Sequence, residues 1–124
     1  MHFLSDELDT YVTLHTQDEP HLLAQLNKET HQKILHPRML SGHFQGRVLS
    51  MLSKIIHPFN ILEIGTYTGY ATLCLAEGLA KNGTIDTIDN EEELVDFQRK
   101  YFKQSNWSNQ ITQHLGDGLD VIPT

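Results

Sequence analysis

The residues able to do chemistry in this chain gather at three points. Glu63-Ile64-Gly65-Thr66-Tyr67-Thr68-Gly69-Tyr70 follows a short apolar run and leads into a helical one. Glycines at such a turn let the backbone approach a ligand, and free N–H groups where a helix starts favour negative or electron-rich atoms. The spacing is not the dinucleotide fingerprint Gly-x-Gly-x-x-Gly, because Tyr67 stands where the second glycine would and its ring would obstruct a pyrophosphate. An NAD-dependent oxidoreductase reading therefore conflicts with Tyr67. Asp89 follows Gly65 by 24 residues, about where a carboxylate in a doubly wound fold meets the two ribose hydroxyls. Gly116-Asp117-Gly118 supplies a further flexible acidic turn. The three together describe a nucleotide-type site for an adenosine-bearing ligand.

Those turns need strands and helices to hold them. Asn60 to Ile64, Thr84 to Asp89 and Ile111 to Leu115 are of strand length. Tyr70 to Asn82 and Glu91 to Gln104 read as helices, the first closed by Asn82-Gly83 and the second acidic at its start. Strand, helix, strand, helix, strand implies a parallel sheet with right-handed crossovers and strand order 3-2-1. All three chemical turns then fall at one carboxyl edge of the sheet. Ahead of the sheet the chain reads as helices only. Ser5 or Asp6 caps a first one carrying Leu8, Tyr11, Val12 and Leu14, and Pro20 opens a second with Leu22, Leu23 and Leu26 on one face. His36-Pro37 forces a break. Ser41 is the expected N-cap of a third helix whose core face carries Phe44, Val48, Leu52 and Ile55, stopped by Pro58.

The 124 residues, 39% hydrophobic and 20% charged, suit one globular domain, with N-terminal helices over 1–57 and the beginning of a sheet over 58–124. Sixteen acidic against nine basic side chains give a net charge of −7, which repels polyanions and argues against DNA or RNA as partners. No window reaches the roughly 18 to 20 apolar residues of a membrane span, and Met1 to Glu7 lacks the order of a signal peptide, so a cytoplasmic location without membrane contact is expected. The single Cys74 has no internal disulfide partner.

The chain resembles the S-adenosylmethionine-dependent O-methyltransferases of the caffeoyl-CoA and catechol type, in their bacterial form. Glu63 to Tyr70 matches the family's Glu-Ile-Gly-x-Tyr-Thr-Gly-Tyr, and Met39-Leu40-Ser41-Gly42-His43-Phe44-Gln45-Gly46-Arg47 matches a segment that covers the cofactor. The resemblance implies that Met39 and Ser41 lie over the methionine end of the cofactor. It implies that Glu63, Gly65, Tyr67 and Gly69 shape the pocket around the amino-acid part, that Asp89 takes the ribose hydroxyls, and that Asp117 and Gly118 lie near the adenine. Ala71 departs from the serine that many members carry, whose hydroxyl helps hold the methionine carboxylate.

The family's divalent metal, usually magnesium, sits on two aspartates and an asparagine after the fourth and fifth strands, and binds a catechol-like acceptor. None of these is in the sequence. The expectation is therefore a partial Rossmann-like doubly wound α/β domain, the cofactor half of a longer enzyme that acts on a small-molecule acceptor as a homodimer. No catalytic residue is assigned within it, and metal is expected only with the absent half. A three-stranded sheet leaves an apolar edge on its first strand, so the alternative is a non-catalytic module that self-associates through that edge.

Other residues have plainer readings. Asp89 alone could be a solvated strand end or an N-cap, and Met39 alone could be core filler. Cys74 reads as a buried small hydrophobe, since no lysine, arginine or histidine lies a turn away on its helix. The eight histidines are too scattered for a metal site, and Glu91-Glu92-Glu93 reads as a solvated helix start. His43 and Arg47 read as solvent-exposed, with a substrate or dimer contact as the alternative.

Overall fold

A computed structural model of the protein describes residues 4–123. His2, one of the histidines considered above, and Thr124 lie outside them. Ser5 caps α1 (Asp6–His15), its hydroxyl accepting the Leu8 N–H at 3.3 Å. The apolar side of α1 does not become core: Leu8, Tyr11 and Leu14 stay exposed and the helix buries no residue. Next comes α2 (His21–Lys33), which starts one residue later than expected because Pro20 occupies the N-cap position rather than the first turn. Leu23 and Leu26 are its buried anchors. The break before Pro37 is present, and Pro37–Met39 makes a single 3₁₀ turn.

α3 (Gly42–Ile56) corrects two expectations. Ser41 precedes it with helical dihedrals and no side-chain cap bond. Its buried side is also not the apolar stripe: Phe44, Leu52 and Ile55 are exposed, whereas Gly46, Ser50 and Ser53 are buried. The small residues let α3 lie close on α4 (Tyr70–Ala76), where a Cβ at Gly46 would come within 2.7 Å of the Tyr70 ring and 2.8 Å of Cys74 Sγ. Backbone proximity, not hydrophobicity, decides which side of α3 turns inward.

The sheet has the expected parallel order, with β2 (Thr84–Asp89) between β1 (Asn60–Ile64) and β3 (Ile111–Leu115). The register aligns Glu63 with Thr87, and Asp89 with Leu115. Tyr70, Leu73 and Cys74 of α4 join Tyr101 and Phe102 of α5 (Val95–Gln104) and the two leucines of α2 in one core. On the neighbouring strand positions of β1, Leu62 and Ile64 remain exposed.

The helix expected over Tyr70 to Asn82 ends at Ala76. Gly78 lies against the backbone of Ser53 and Lys54, so the chain must turn before it meets α3. The helix expected over Glu91 to Gln104 begins instead as a 3₁₀ turn at Glu92–Leu94. A four-residue helix, α6 (Gly118–Val121), is capped by Asp117, whose carboxylate accepts the Leu119 N–H at 2.8 Å.

Candidate cofactor site

The three strand ends converge as the spacing predicts. Ile64 and Gly65 from β1, Ile88, Asp89 and Asn90 from β2, and Gly116, Asp117 and Gly118 line one cleft of about 160 Å3. The Gly65 N–H donates to the Ile88 carbonyl at 2.7 Å, which folds the glycine turn back over the end of β2. Gly65 has φ +95, a backbone conformation that side-chain-bearing residues rarely adopt.

Tyr67 is the node of the turn. It too is left-handed, with φ +51, and each of its polar groups is held. Its N–H donates to Asp89 Oδ2 at 2.7 Å, its carbonyl accepts from Gln98 Nε2 at 2.6 Å, and its phenol donates to the His36 carbonyl at 2.6 Å. The last contact ties the turn to the segment bearing Met39. Met39 is 66% exposed, which removes the core-filler reading. With His36, Leu35, Tyr67, Glu91 and Leu94 it lines a second, mostly apolar cleft of about 430 Å3. Ser41 stands two residues beyond Met39, at the start of α3.

Asp89 is half-buried and does not cap the following helical turn, where Glu91 holds the N-cap position, but its carboxylate is engaged by the backbone and keeps capacity beyond that. Its Oδ1 accepts the Glu91 N–H at 3.0 Å, while Oδ2 takes that of Tyr67. An ionised carboxylate has about four acceptor positions, so lone pairs remain for ligand hydroxyls.

Glu63 lies behind the turn. Thr72 and Thr87 both donate to its Oε1, the latter at 2.7 Å, and Thr87 in turn shares a 2.6 Å bond with Thr66. Burial pushes the Glu63 carboxyl above its ordinary range; the two hydroxyls oppose that shift, and the charge of Asp89 adds to it. Gly69 is shaped by packing: it has φ +95, and a Cβ there would stand 2.7 Å from the Phe102 ring.

Sequence reasoning missed the threonines and Gln98. Thr87 becomes visible only when β1 and β2 are placed in register. Gln98 carried a signal of its own, as a polar residue amid Leu94, Phe97, Tyr101 and Phe102 on the apolar face of α5.

Neither His43 nor Arg47 stands exposed. The Arg47 side chain is 8% exposed and forms a forked pair with Glu77, at 3.1 and 2.5 Å. His43 is half-buried. Arg47 also brings a cation to Cys74, 3.6 Å from Sγ, and does so from α3 rather than from the helix that carries the cysteine. Burial still dominates and pushes the Cys74 thiol up to about 12, so it is not a thiolate nucleophile at neutral pH. Among the described residues no three histidine, cysteine, aspartate or glutamate side chains are grouped to hold a metal ion, and no helix is long and apolar enough to cross a membrane.

A parallel sheet with a glycine turn after β1 and carboxylates at the end of β2 and after β3 defines a Rossmann-like α/β fold. The O-methyltransferase family profile matches residues 13–124, and the chain belongs to that family. It is 30% identical over 122 residues to caffeoyl-CoA O-methyltransferase 1 of Arabidopsis thaliana, covering 95% of this chain and 46% of that protein. To the catechol O-methyltransferase of Mycobacterium tuberculosis it is 28% identical over 107 residues, covering 86% and 48%. The crystal structure of an O-methyltransferase from Bacillus cereus in complex with S-adenosylhomocysteine superposes with a TM-score of 0.85 at 29% identity, covering 94% of this chain and 53% of that one. The S-adenosylmethionine complex of the Streptomyces achromogenes O-methyltransferase TomG gives 0.84 at 26% identity, covering 94% and 52%. The chain thus spans about half the length of the relatives it matches.

Proposed function

We propose that this chain binds S-adenosylmethionine and forms the cofactor half of an O-methyltransferase acting on a hydroxyl of a small, catechol-like acceptor. The observation that carries the reading is the convergence of Gly65, Asp89, Asp117 and Gly118 on one cleft, in a chain similar to solved O-methyltransferases from Streptomyces achromogenes and Bacillus cereus that hold this cofactor or its product. Asp89 offers its remaining lone pairs to the ribose hydroxyls. Glu63, with Oε2 outside the threonine bonds, offers a counter-charge to the ammonium of the methionine part. Gly65, Tyr67 and Gly69 shape the wall beside it, Met39 and Ser41 cover that end, and Asp117 and Gly118 flank the adenine.

The bound cofactor supplies a methyl group on a sulfonium sulfur, open to in-line attack by an oxygen nucleophile. The chain's part is to hold that carbon in place and shield it, a matter of proximity and orientation. The groups that activate the acceptor, magnesium among them, are proposed to lie outside residues 1–124. The assembly is proposed to be a cytoplasmic homodimer, a reading supported by exposed Phe44, Met51, Leu52 and Ile55 on α3.

Calorimetric titration with S-adenosylhomocysteine, with NAD as control, tests the reading. Saturable binding of the first alone, lost in Asp89→Ala, is the expected result; absence of binding in a folded sample overturns it. A second reading, self-association without catalysis, is favoured by exposed Leu62 and Ile64 on the edge strand β1. It predicts a concentration-dependent dimer in sedimentation that a charged substitution at Leu62 dissolves.

A further inference from the structure

We propose that Gln98 and Gln113 are positioning residues that hold the glycine turn in its binding conformation. The proposal rests on the reading of the cleft as a site for S-adenosylmethionine.

Gln98 is 2% exposed on the otherwise apolar face of α5. A primary amide placed there has lost its water and must find every partner within the fold. The partners fix its orientation. Gln113 Nε2 donates to the Val95 carbonyl at 3.3 Å and to Gln98 Oε1 at 2.9 Å. The Val95 carbonyl can only accept, so the Gln113 group beside it is the NH2 end, and the Gln98 atom facing that end is the oxygen. Gln98 Nε2 is then directed at the Tyr67 carbonyl, 2.6 Å away. The chain of donors runs one way, from β3 through α5 to the turn.

Tyr67 needs such a support. An aromatic residue at φ +51 sits in a region that persists only where the surroundings over-determine it. The bond from Gln98 fixes its carbonyl, and the opposite side of the same residue presents the N–H that Asp89 accepts at 2.7 Å. Rotating the Tyr67 peptide units would therefore disturb the carboxylate assigned to the ribose. Gln98 does not line the cleft, yet it holds the residue whose N–H engages Asp89, which does.

The test reads backbone amide exchange by NMR, as protection factors corrected for intrinsic rate, together with S-adenosylhomocysteine affinity by calorimetry. In Gln98→Leu the Tyr67 amide is expected to lose protection by roughly threefold to tenfold, the value of one net hydrogen bond, with a comparable loss of affinity. The Ile85 amide, bonded to the Gln110 carbonyl within the sheet, should keep its protection. Gln98→Glu adds a signature that a packing role would not give. Ionised, its carboxylate has no proton to offer the Tyr67 carbonyl and protection falls; on acidification the neutral carboxyl donates and protection returns.

Unchanged Tyr67 protection in folded Gln98→Leu, or no recovery of Gln98→Glu at low pH, overturns the proposal. So does lost protection with undiminished affinity. If Gln98→Leu does not fold, Gln113→Leu, which frees the Gln98 amide to flip, carries the same expectation. Protection is measured without ligand, so failure of the wild-type chain to bind S-adenosylhomocysteine would strike the cofactor reading and leave the result on Gln98 standing.

Discussion

Asp89 Oδ2 accepts the backbone N–H of Tyr67 at 2.7 Å, so the carboxylate proposed to meet the ribose also pins the glycine turn that faces it. The two duties cannot be separated by deleting the side chain. Asp89→Ala leaves two backbone donors, Tyr67 and Glu91, without their acceptor. Charge-assisted bonds of this kind are worth about 1.5 to 3 kcal/mol each, less where water can replace the lost partner. The expected result is a loss of about 2 kcal/mol in chemical denaturation together with loss of S-adenosylhomocysteine binding. Asp89→Asn, whose single oxygen can serve only one of the donors, should fall between. A variant that loses affinity at full stability would show that the carboxylate does not hold the turn.

Tyr67→Phe isolates the other end of the same node. It removes the bond to the His36 carbonyl and leaves the ring in place, at a stability cost of about 1 kcal/mol. The covering segment should loosen with it. Arg38 is exposed in the turn next to His36, so limited trypsin digestion reports on this directly. Faster cleavage after Arg38 than in the parent chain is the expected outcome, and equal rates would mean that the segment is held by Leu40 in the core instead.

Glu63 should show opposite signs for stability and binding. Its carboxyl is raised by burial, so the folded chain holds that proton more tightly than the unfolded one. Stability from this group accordingly falls as pH rises from the ordinary 4.5 through the raised value. Glu63→Gln keeps an oxygen for Thr72 and Thr87 and carries no charge. It should melt higher than the parent at neutral pH, with the advantage fading towards pH 4. The same variant should bind S-adenosylhomocysteine more weakly, because the proposed counter-charge for its ammonium is gone. Melting curves across pH, beside one titration, check both.

The positions of the three chemical turns were legible because they depend on local rules: a glycine where a strand meets a helix, a carboxylate where the next strand ends. Two faces were misread for one shared reason. The stripes on α1 and α3 are amphipathic by spacing, yet Leu14 and Ile55 are exposed while Gly46 and Ser53 are buried. Periodicity shows that a helix has an apolar side; it does not show which neighbour is available to cover it. The reading of Arg47 as solvent-exposed fails for the same reason. Its partners Cys74 and Glu77 lie 27 and 30 residues away, a relationship that only the α3 to α4 packing creates. The Gln98 support depends on β3 lying beside α5, and no local pattern encodes that.

The clasp between α2 and α5 gives a prediction at acid pH. Glu29 accepts from Lys100 Nζ at 2.7 Å and from the Tyr101 phenol at 2.7 Å, with Lys33 at 3.2 Å. Lys100 first, and then Tyr101, hold its carboxyl down at about 2 against the ordinary 4.5. A depressed carboxyl stabilises the fold fully above 4.5, and that contribution drains away as pH falls towards 2. Both lysines are more than half exposed, so solvent screens the pairs and the contribution is about 1 kcal/mol. Glu29→Gln should therefore be less stable than the parent at pH 7 by that amount and equal to it near pH 2. High salt should narrow the gap at pH 7 without closing it, since the phenol of buried Tyr101 donates more strongly to a carboxylate than to the amide oxygen of glutamine, and that short-range preference is little screened. Urea denaturation of the two chains at pH 7 and pH 2, with and without salt, measures all three. A gap that persists at pH 2 would place the effect of Glu29 in packing rather than in its charge.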